Sequence, residues 1–190
     1  MRNLLATFCI VALVAVPAAA QDEGMDRGMM AGVGVGAAIP VSDGLDDAVD
    51  PGIAIGGFVS GPISGPLGWR AEVAWESFEN PDFIDEECDA ADIDCSKPHV
   101  TRFNGGVQFG PSTGSARPYG FFTVGAYNSD PGENIEGETD FGIGLGGGVN
   151  FMLGDSWGAG GDVHFHGIFP GDDADTEWYV TPEGVFFFSF

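Results

Sequence analysis

Eight segments of the chain alternate bulky apolar residues with glycine or polar residues at a period of two, and Gly, Pro, Asp or Ser bounds each one. They run from about Met29 to Val41, Gly52 to Ser60, Trp69 to Phe78, Val100 to Gly110, Pro118 to Tyr127, Thr139 to Leu153, Trp157 to Phe169 and Trp178 to Phe190. A period of two places alternate side chains on opposite faces of a β-strand. In the third segment Trp69, Ala71, Val73 and Trp75 oppose Arg70, Glu72 and Glu76. In the sixth, Phe141, Ile143, Leu145, Val149, Phe151 and Leu153 oppose Asp140, Asn150 and a run of alternate glycines. In the seventh, Val163, Phe165 and Phe169 oppose Asp162, His164, His166 and glycines. The fifth segment is the exception, because Phe121 and Phe122 are adjacent and its inward face cannot be assigned.

The sense of the alternation separates two all-β architectures. A soluble barrel or sandwich turns its bulky face inward and exposes a polar face. Here the second face is glycine with charged residues between, which is a poor soluble surface. A closed eight-stranded barrel has a bore that side chains just fill, and glycine there leaves room for long charged neighbours. The bulky face then belongs outside, against lipid. The expected fold is an all-β, eight-stranded, antiparallel, up-and-down transmembrane β-barrel. An apolar band about 25 Å tall needs roughly 9–11 tilted residues per strand, which the segments supply. A hairpin hidden in the long connection from Glu79 to His99 would make ten strands instead.

Connection length and charge alternate together. Connections one, three, five and seven span Ser42–Pro51, Glu79–His99, Asn128–Glu138 and Pro170–Glu177 and carry most of the acids. Connections two, four and six span Gly61–Gly68, Pro111–Arg117 and Gly154–Ser156 and carry only Asp155. Long loops at one end and short turns at the other are the habit of up-and-down membrane barrels. Aromatic residues mark both rims, with Trp69, Phe109, Phe151, Trp157, Phe188 and Phe190 toward the turns and Phe78, Phe141, Phe169 and Trp178 toward the loops. Pro182 inside the last segment removes a ladder donor, so a bulge is expected there.

The N-terminus reads as an export signal. Arg2 precedes an apolar stretch from Leu4 to Val16, too short to span a bilayer as a helix, and Pro17-Ala18-Ala19-Ala20 offers small residues for cleavage. Residues 1–20 are expected to be a cleaved signal peptide, 21–28 an N-terminal periplasmic segment and 29–190 the barrel domain. An exported chain meets an oxidising compartment, so a disulfide between Cys88 and Cys95 is expected. The net charge of −23 excludes nucleic acid as a partner.

Four stretches carry a family resemblance: Trp69-Arg70-Ala71-Glu72, Arg117-Pro118-Tyr119-Gly120, Gly144-Leu145-Gly146-Gly147-Gly148-Val149-Asn150-Phe151 and the closing Phe186-Phe187-Phe188-Ser189-Phe190. In order and spacing they resemble the small outer-membrane β-barrel domain family, the OmpA/OmpX-like class. The resemblance implies residence in the outer membrane of a Gram-negative-type bacterium, among outer-membrane lipid and lipopolysaccharide. It also implies that Phe186, Phe188 and Phe190 form a signal read by the barrel-assembly machinery during insertion.

The candidate chemistry lies inside. The expected interior polar network is Arg70, Glu72, Glu76, Arg102, Asn104, Gln108, Asp140, Asn150, Asp162, His164, His166 and Glu183. It reads as a structural plug or as a narrow, gated, weakly cation-selective pore; buried charges need partners, which favours the plug. Asp162, His164 and His166 share one strand face, but no fourth ligand is apparent and no metal site is assigned. A lipid-modifying barrel enzyme needs a serine nucleophile beside a lipid-facing histidine, and the seventh segment has neither, so no catalytic residue is assigned. No cofactor is expected. Divalent cations are candidate loop partners, with Asp85, Glu86, Glu87, Asp89, Asp92 and Asp94 a weak calcium site because no Asp-x-Asp-x-Asp-Gly loop is present. The expected role is structural or surface-interacting, with acidic loops outside. A small porin-like channel is the alternative.

Overall fold

A computed structural model describes residues 28–46, 48–81, 96–111, 113–131, 137–171 and 175–190. The expected signal peptide, the Cys88–Cys95 disulfide and the calcium candidates from Asp85 to Asp94 lie outside the described residues.

The period-two segments all form strands: β1 (Met30–Pro40), β2 (Asp50–Ser64), β3 (Leu67–Glu79), β4 (His99–Phe109), β5 (Ala116–Asp130), β6 (Glu138–Met152), β7 (Trp157–Phe169) and β8 (Glu177–Ser189). A short helix, α1 (Asp43–Asp46), sits in the first connection. Each strand pairs antiparallel with its sequence neighbours, and β8 pairs with β1 to close the barrel. β3 and β4 pair directly from Leu67↔Phe109 to Ser77↔His99, so no further strand is inserted between them in the sheet, and the closed barrel of the described residues has eight strands. Along the hydrogen-bonded pairs Met30 leads to Ser60, Arg70, Gly106, Thr123, Gly144, His166 and Tyr179, and returns to β1 at Pro40, ten residues further on. That stagger tilts the strands and fixes the bore.

Both termini of the barrel lie at the end with the short connections, called the turn end; the longer connections form the loop end. β2 runs further than expected. Gly61 and Pro62 still pair with Trp69 and Gly68, and only Gly65 and Pro66 remain as the turn, with Gly65 at a φ of 52°. This is a backbone conformation that glycine adopts without steric cost. Register shifts mark both ends of β2, between Asp50 and Ile53 and between Pro62 and Ser64. Pro182 does not produce the expected bulge. Facing it, the β1 ladder skips Ala37 and Ala38 and resumes in the same register at Ile39↔Val180. On the other side, Val163↔Pro182 is paired without a shift. The missing donor is absorbed as an interrupted ladder, with no residue inserted.

The outward face is apolar throughout, with Val33, Ile55, Val73, Phe103, Leu145 and Phe165 among many exposed large hydrophobics. Soluble monomers rarely expose so continuous an apolar belt. At the turn end Trp157 lies against Phe186, and Phe186 meets Phe188 edge-on. At the loop end Phe141 stacks on Phe169, which meets Trp178 edge-on. Phe78 does not belong to this rim. It shares the inward parity of Ala74 and Glu76, is 2 % exposed and packs edge-on against Tyr179.

The inward face explains the glycines. A methyl group on Gly142 would overlap the Tyr127 ring, one on Gly146 the Phe121 ring, and one on Gly34 the Glu183 carboxylate. Glycine on one strand thus makes room for a large side chain from the next. The same contacts settle β5, where Tyr119, Phe121, Thr123 and Tyr127 point inward and Phe122 and Val124 outward. Two apolar clusters fill the bore. Toward the loop end Ala38, Ala54, Phe78, Val100, Ile168 and Tyr179 pack together, with Leu45 of α1 against them. Toward the turn end Phe58, Val185 and Phe187 pack with Met30 and Met152.

Candidate functional site

Between the two apolar clusters lies a layer of charge. Its members follow from parity alone: on β3, Arg70, Glu72 and Glu76 are separated by even steps and therefore share the inward face, as do Arg102 and Asn104 on β4 and Asp162, His164 and His166 on β7. Glu76, Arg102, His164 and His166 are each at most 2 % exposed.

Arg102 is the hub. Its Nε donates to Glu76 Oε1 at 2.9 Å and its Nη1 donates to Glu72 Oε2 at 2.9 Å. Arg70 donates through Nε to Glu72 Oε1 and through Nη1 to Gln108 Oε1 at 3.2 Å. The Arg70 guanidinium lies 4.2 Å from the centre of the Phe58 ring and 4.8 Å from that of Phe121, a pair of cation–π contacts that hold the fork in place. Glu72 therefore bridges both arginines. Buried pairs of this kind offset their desolvation only when the remaining lone pairs are also satisfied.

Tyrosines complete the layer, and the sequence reading missed all three. Tyr179 Oη donates to Glu76 Oε2 at 2.7 Å, and Tyr119 Oη donates to Asp162 Oδ2 at 2.6 Å. Asn104 Nδ2 donates to Tyr127 Oη at 2.9 Å, and Tyr127 Oη lies 3.0 Å from His166 Nδ1. His166 also stacks on Tyr179, with ring centres 4.6 Å apart. Tyr179 could have been found, because it shares the parity of Glu183 on the same strand. Tyr119 and Tyr127 could not, because the Phe121-Phe122 pair hides the parity of β5.

The structure brings together ten of the expected polar residues: Arg70, Glu72, Glu76, Arg102, Asn104, Gln108, Asp162, His164, His166 and Glu183. Two stand apart. Asp140 points inward near the loop end, and Asn150 is buried toward the turn end; among the described residues neither is hydrogen-bonded to the layer. Beside Asn150, Met30, Ser60, Gln108 and Tyr119 line a vestibule of about 250 Å³ at the turn end. Phe186, Phe188 and Phe190 lie outward on or just beyond the end of β8, and Phe190 N donates to Met29 O at 2.9 Å across the closing seam. Of the described residues, Asp162, His164 and Glu183 can hold a metal ion, with one ligand atom each and all three atoms within 4.8 Å of one another.

A closed antiparallel barrel, an apolar exterior and a buried charged interior point to a membrane barrel, and the family comparison decides it. The model of the outer membrane protein beta-barrel domain matches residues 6–181. The chain belongs to that family. It is an outer-membrane protein, and its apolar belt faces lipid. Among solved structures, Neisserial surface protein A is similar at a TM-score of 0.64 and 12 % identity, covering 86 % of this chain and 97 % of that one. Ail, the attachment invasion locus protein of Yersinia pestis, solved with the heparin analogue sucrose octasulfate, is similar at 0.54 and 13 % identity, covering 87 % and 100 %. The N-terminal β-barrel domain of Pseudomonas aeruginosa OprF is similar at 0.51 and 11 % identity, covering 86 % and 98 %. At these identities the likeness is one of fold. No curated protein sequence matches the chain.

Proposed function

We propose that this outer-membrane barrel is a closed, non-enzymatic scaffold whose acidic loops are its working surface on the cell exterior. One observation carries the reading: the charge layer is buried between two apolar clusters, and its carboxylates on β3 are held by guanidinium and phenol donors. A conducting pore needs a continuous polar path along the bore, and a plugged bore leaves function to the loops. The barrel is residues 29–190 in this reading, preceded by a cleaved signal at 1–20 and a periplasmic segment at 21–28. Phe186, Phe188 and Phe190 serve as the assembly signal.

The non-enzymatic reading draws on the surroundings of the two interior histidines, His164 and His166. Among the described residues no serine hydroxyl is hydrogen-bonded to His164 or His166, and both rings point into the bore. The loop chemistry favours cations. Ail was solved with a polysulfated ligand. The net charge of −23 here, gathered largely in the four long connections, suits basic partners or divalent cations and repels polyanions.

Single-channel recording on the purified barrel in planar bilayers tests the closed state. The expected trace shows no discrete steps. Regular, voltage-stable steps would establish the porin-like alternative, with the vestibule beside Tyr119 as its mouth.

A further inference from the structure

On the β3–β4 wall the carboxylates are hydrogen-bonded to guanidiniums; on the β7–β8 wall no guanidinium comes within hydrogen-bond distance of either carboxylate. Asp162 and Glu183 are directly opposite each other across that ladder, both inward. Like charges in this position are destabilising. His164 follows two residues after Asp162 on the same face, and both of its ring nitrogens lack a hydrogen-bond partner although the residue is 1 % exposed. Asp162 Oδ1 is likewise buried and without a partner. A buried imidazole and a buried carboxylate oxygen left unsatisfied both cost stability unless something else binds them.

We propose that Asp162, His164 and Glu183 form a binding site for a divalent first-row transition cation, with zinc the best match. The ligand atoms already face one another: His164 Nε2 is 3.4 Å from Asp162 Oδ1 and 4.0 Å from Glu183 Oε2. Ligands held at about 2.0–2.2 Å around a tetrahedral zinc lie roughly 3.3–3.5 Å from one another. The first separation already has this value, and a small rotation of the Glu183 side chain closes the second. Gly34 provides the space for that carboxylate, because a methyl group there would overlap Glu183 Oε2.

The groups behind the ligands have the arrangement that orients metal ligands. Tyr119 Oη donates to the other oxygen of Asp162, and Arg70 Nη2 stands 3.7 Å from it. Arg102 Nη2 stands 3.8 Å from the other oxygen of Glu183. Glu72 Oε2 is 4.0 Å from His164 Nδ1, outside hydrogen-bond distance in this structure but on the side of the imidazole away from the Nε2 that would bind metal. Both guanidiniums are beyond hydrogen-bond reach of these carboxylates, so the ligand oxygens remain available.

Charge balance points the same way. Two buried arginines, Arg70 and Arg102, face four carboxylates on Glu72, Glu76, Asp162 and Glu183. The deficit matches one divalent cation. One imidazole with two carboxylates suits zinc and its neighbours better than calcium or magnesium, which take oxygen ligands alone. A fourth position is left for water. A metal there ties β7 to β8 beside the closing seam.

The test uses the full-length mature barrel, refolded into detergent micelles with zinc and an excess of magnesium to occupy the acidic loops, then freed of loose metal. Elemental analysis should find a single equivalent of zinc, and X-ray absorption should show one imidazole nitrogen with oxygen ligands. His164→Gln and Glu183→Gln should lose the zinc while keeping heat-modifiable migration on gels. Glu79→Gln, at the loop end, should keep it, and Gly34→Ala should weaken binding by displacing the Glu183 carboxylate. A wild-type barrel that retains no zinc overturns the proposal. So does zinc retained undiminished by folded His164→Gln and Glu183→Gln variants, or an all-oxygen coordination shell in the wild type, which needs no variant to interpret.

Discussion

The β3–β4 wall and the β7–β8 wall carry similar residues to opposite ends. On β3 and β4, Glu72 and Glu76 accept from Arg102, Glu72 also accepts from Arg70, and Glu76 accepts from Tyr179 as well. On β7 and β8, Asp162 faces Glu183 across the ladder with no guanidinium within hydrogen-bond distance, and His164 has no hydrogen-bond partner. The burial is similar and the residue types overlap. What differs is whether each carboxylate has a guanidinium donor: Asp162 has only the Tyr119 hydroxyl, and Glu183 lies 3.8 Å from Arg102. A satisfied buried cluster fixes the barrel, whereas an unsatisfied one is a place where the molecule has room for something else.

The largest way to break this contrast is Arg102→Met. It removes the hub and leaves Glu72 short of one partner and Glu76 dependent on Tyr179. The expected loss is about 3–5 kcal/mol of unfolding free energy, read from urea titration of the barrel in micelles. Tyr179→Phe should cost less, about 1–3 kcal/mol, because one acceptor loses one donor while the ring and its stacking on His166 remain. The smallest effect sharpens the contrast by its sign. In metal-free protein, Glu183→Gln relieves the carboxylate pair opposite Asp162 and should leave stability unchanged or raise it by about 0.2–1 kcal/mol.

The sequence made the strands legible because a period of two is a local property. The bulky face and the glycine face of β6 can be read without knowing what β6 pairs with. The interior charges on β3, β4 and β7 were legible for the same reason. Other features depend on partners distant in the chain. The inward face of β5 is decided by Phe121 lying over Gly146, and Tyr119 and Tyr127 follow from it. Phe78 reads as a rim aromatic by position, yet its parity with Glu76 places it inside, against Tyr179. Pro182 was expected to insert a bulge, whereas the ladder merely skips Ala37 and Ala38. The extension of β2 to Ser64 was hidden because Gly61-Pro62 reads as a turn, while pairing with Gly68 and Trp69 keeps it in the sheet. Glu183 as a partner of Asp162 depends on the β7–β8 register, which no single-strand pattern contains.

The most direct measurement is the unfolding free energy of metal-free Arg102→Met and Glu183→Gln barrels, side by side in one micelle system. Saturation on one wall and its absence on the other predict a large loss for the first and no loss, or a gain, for the second. Comparable losses in both variants would contradict the account, because Glu183 would then be as well partnered as Glu72 and Glu76.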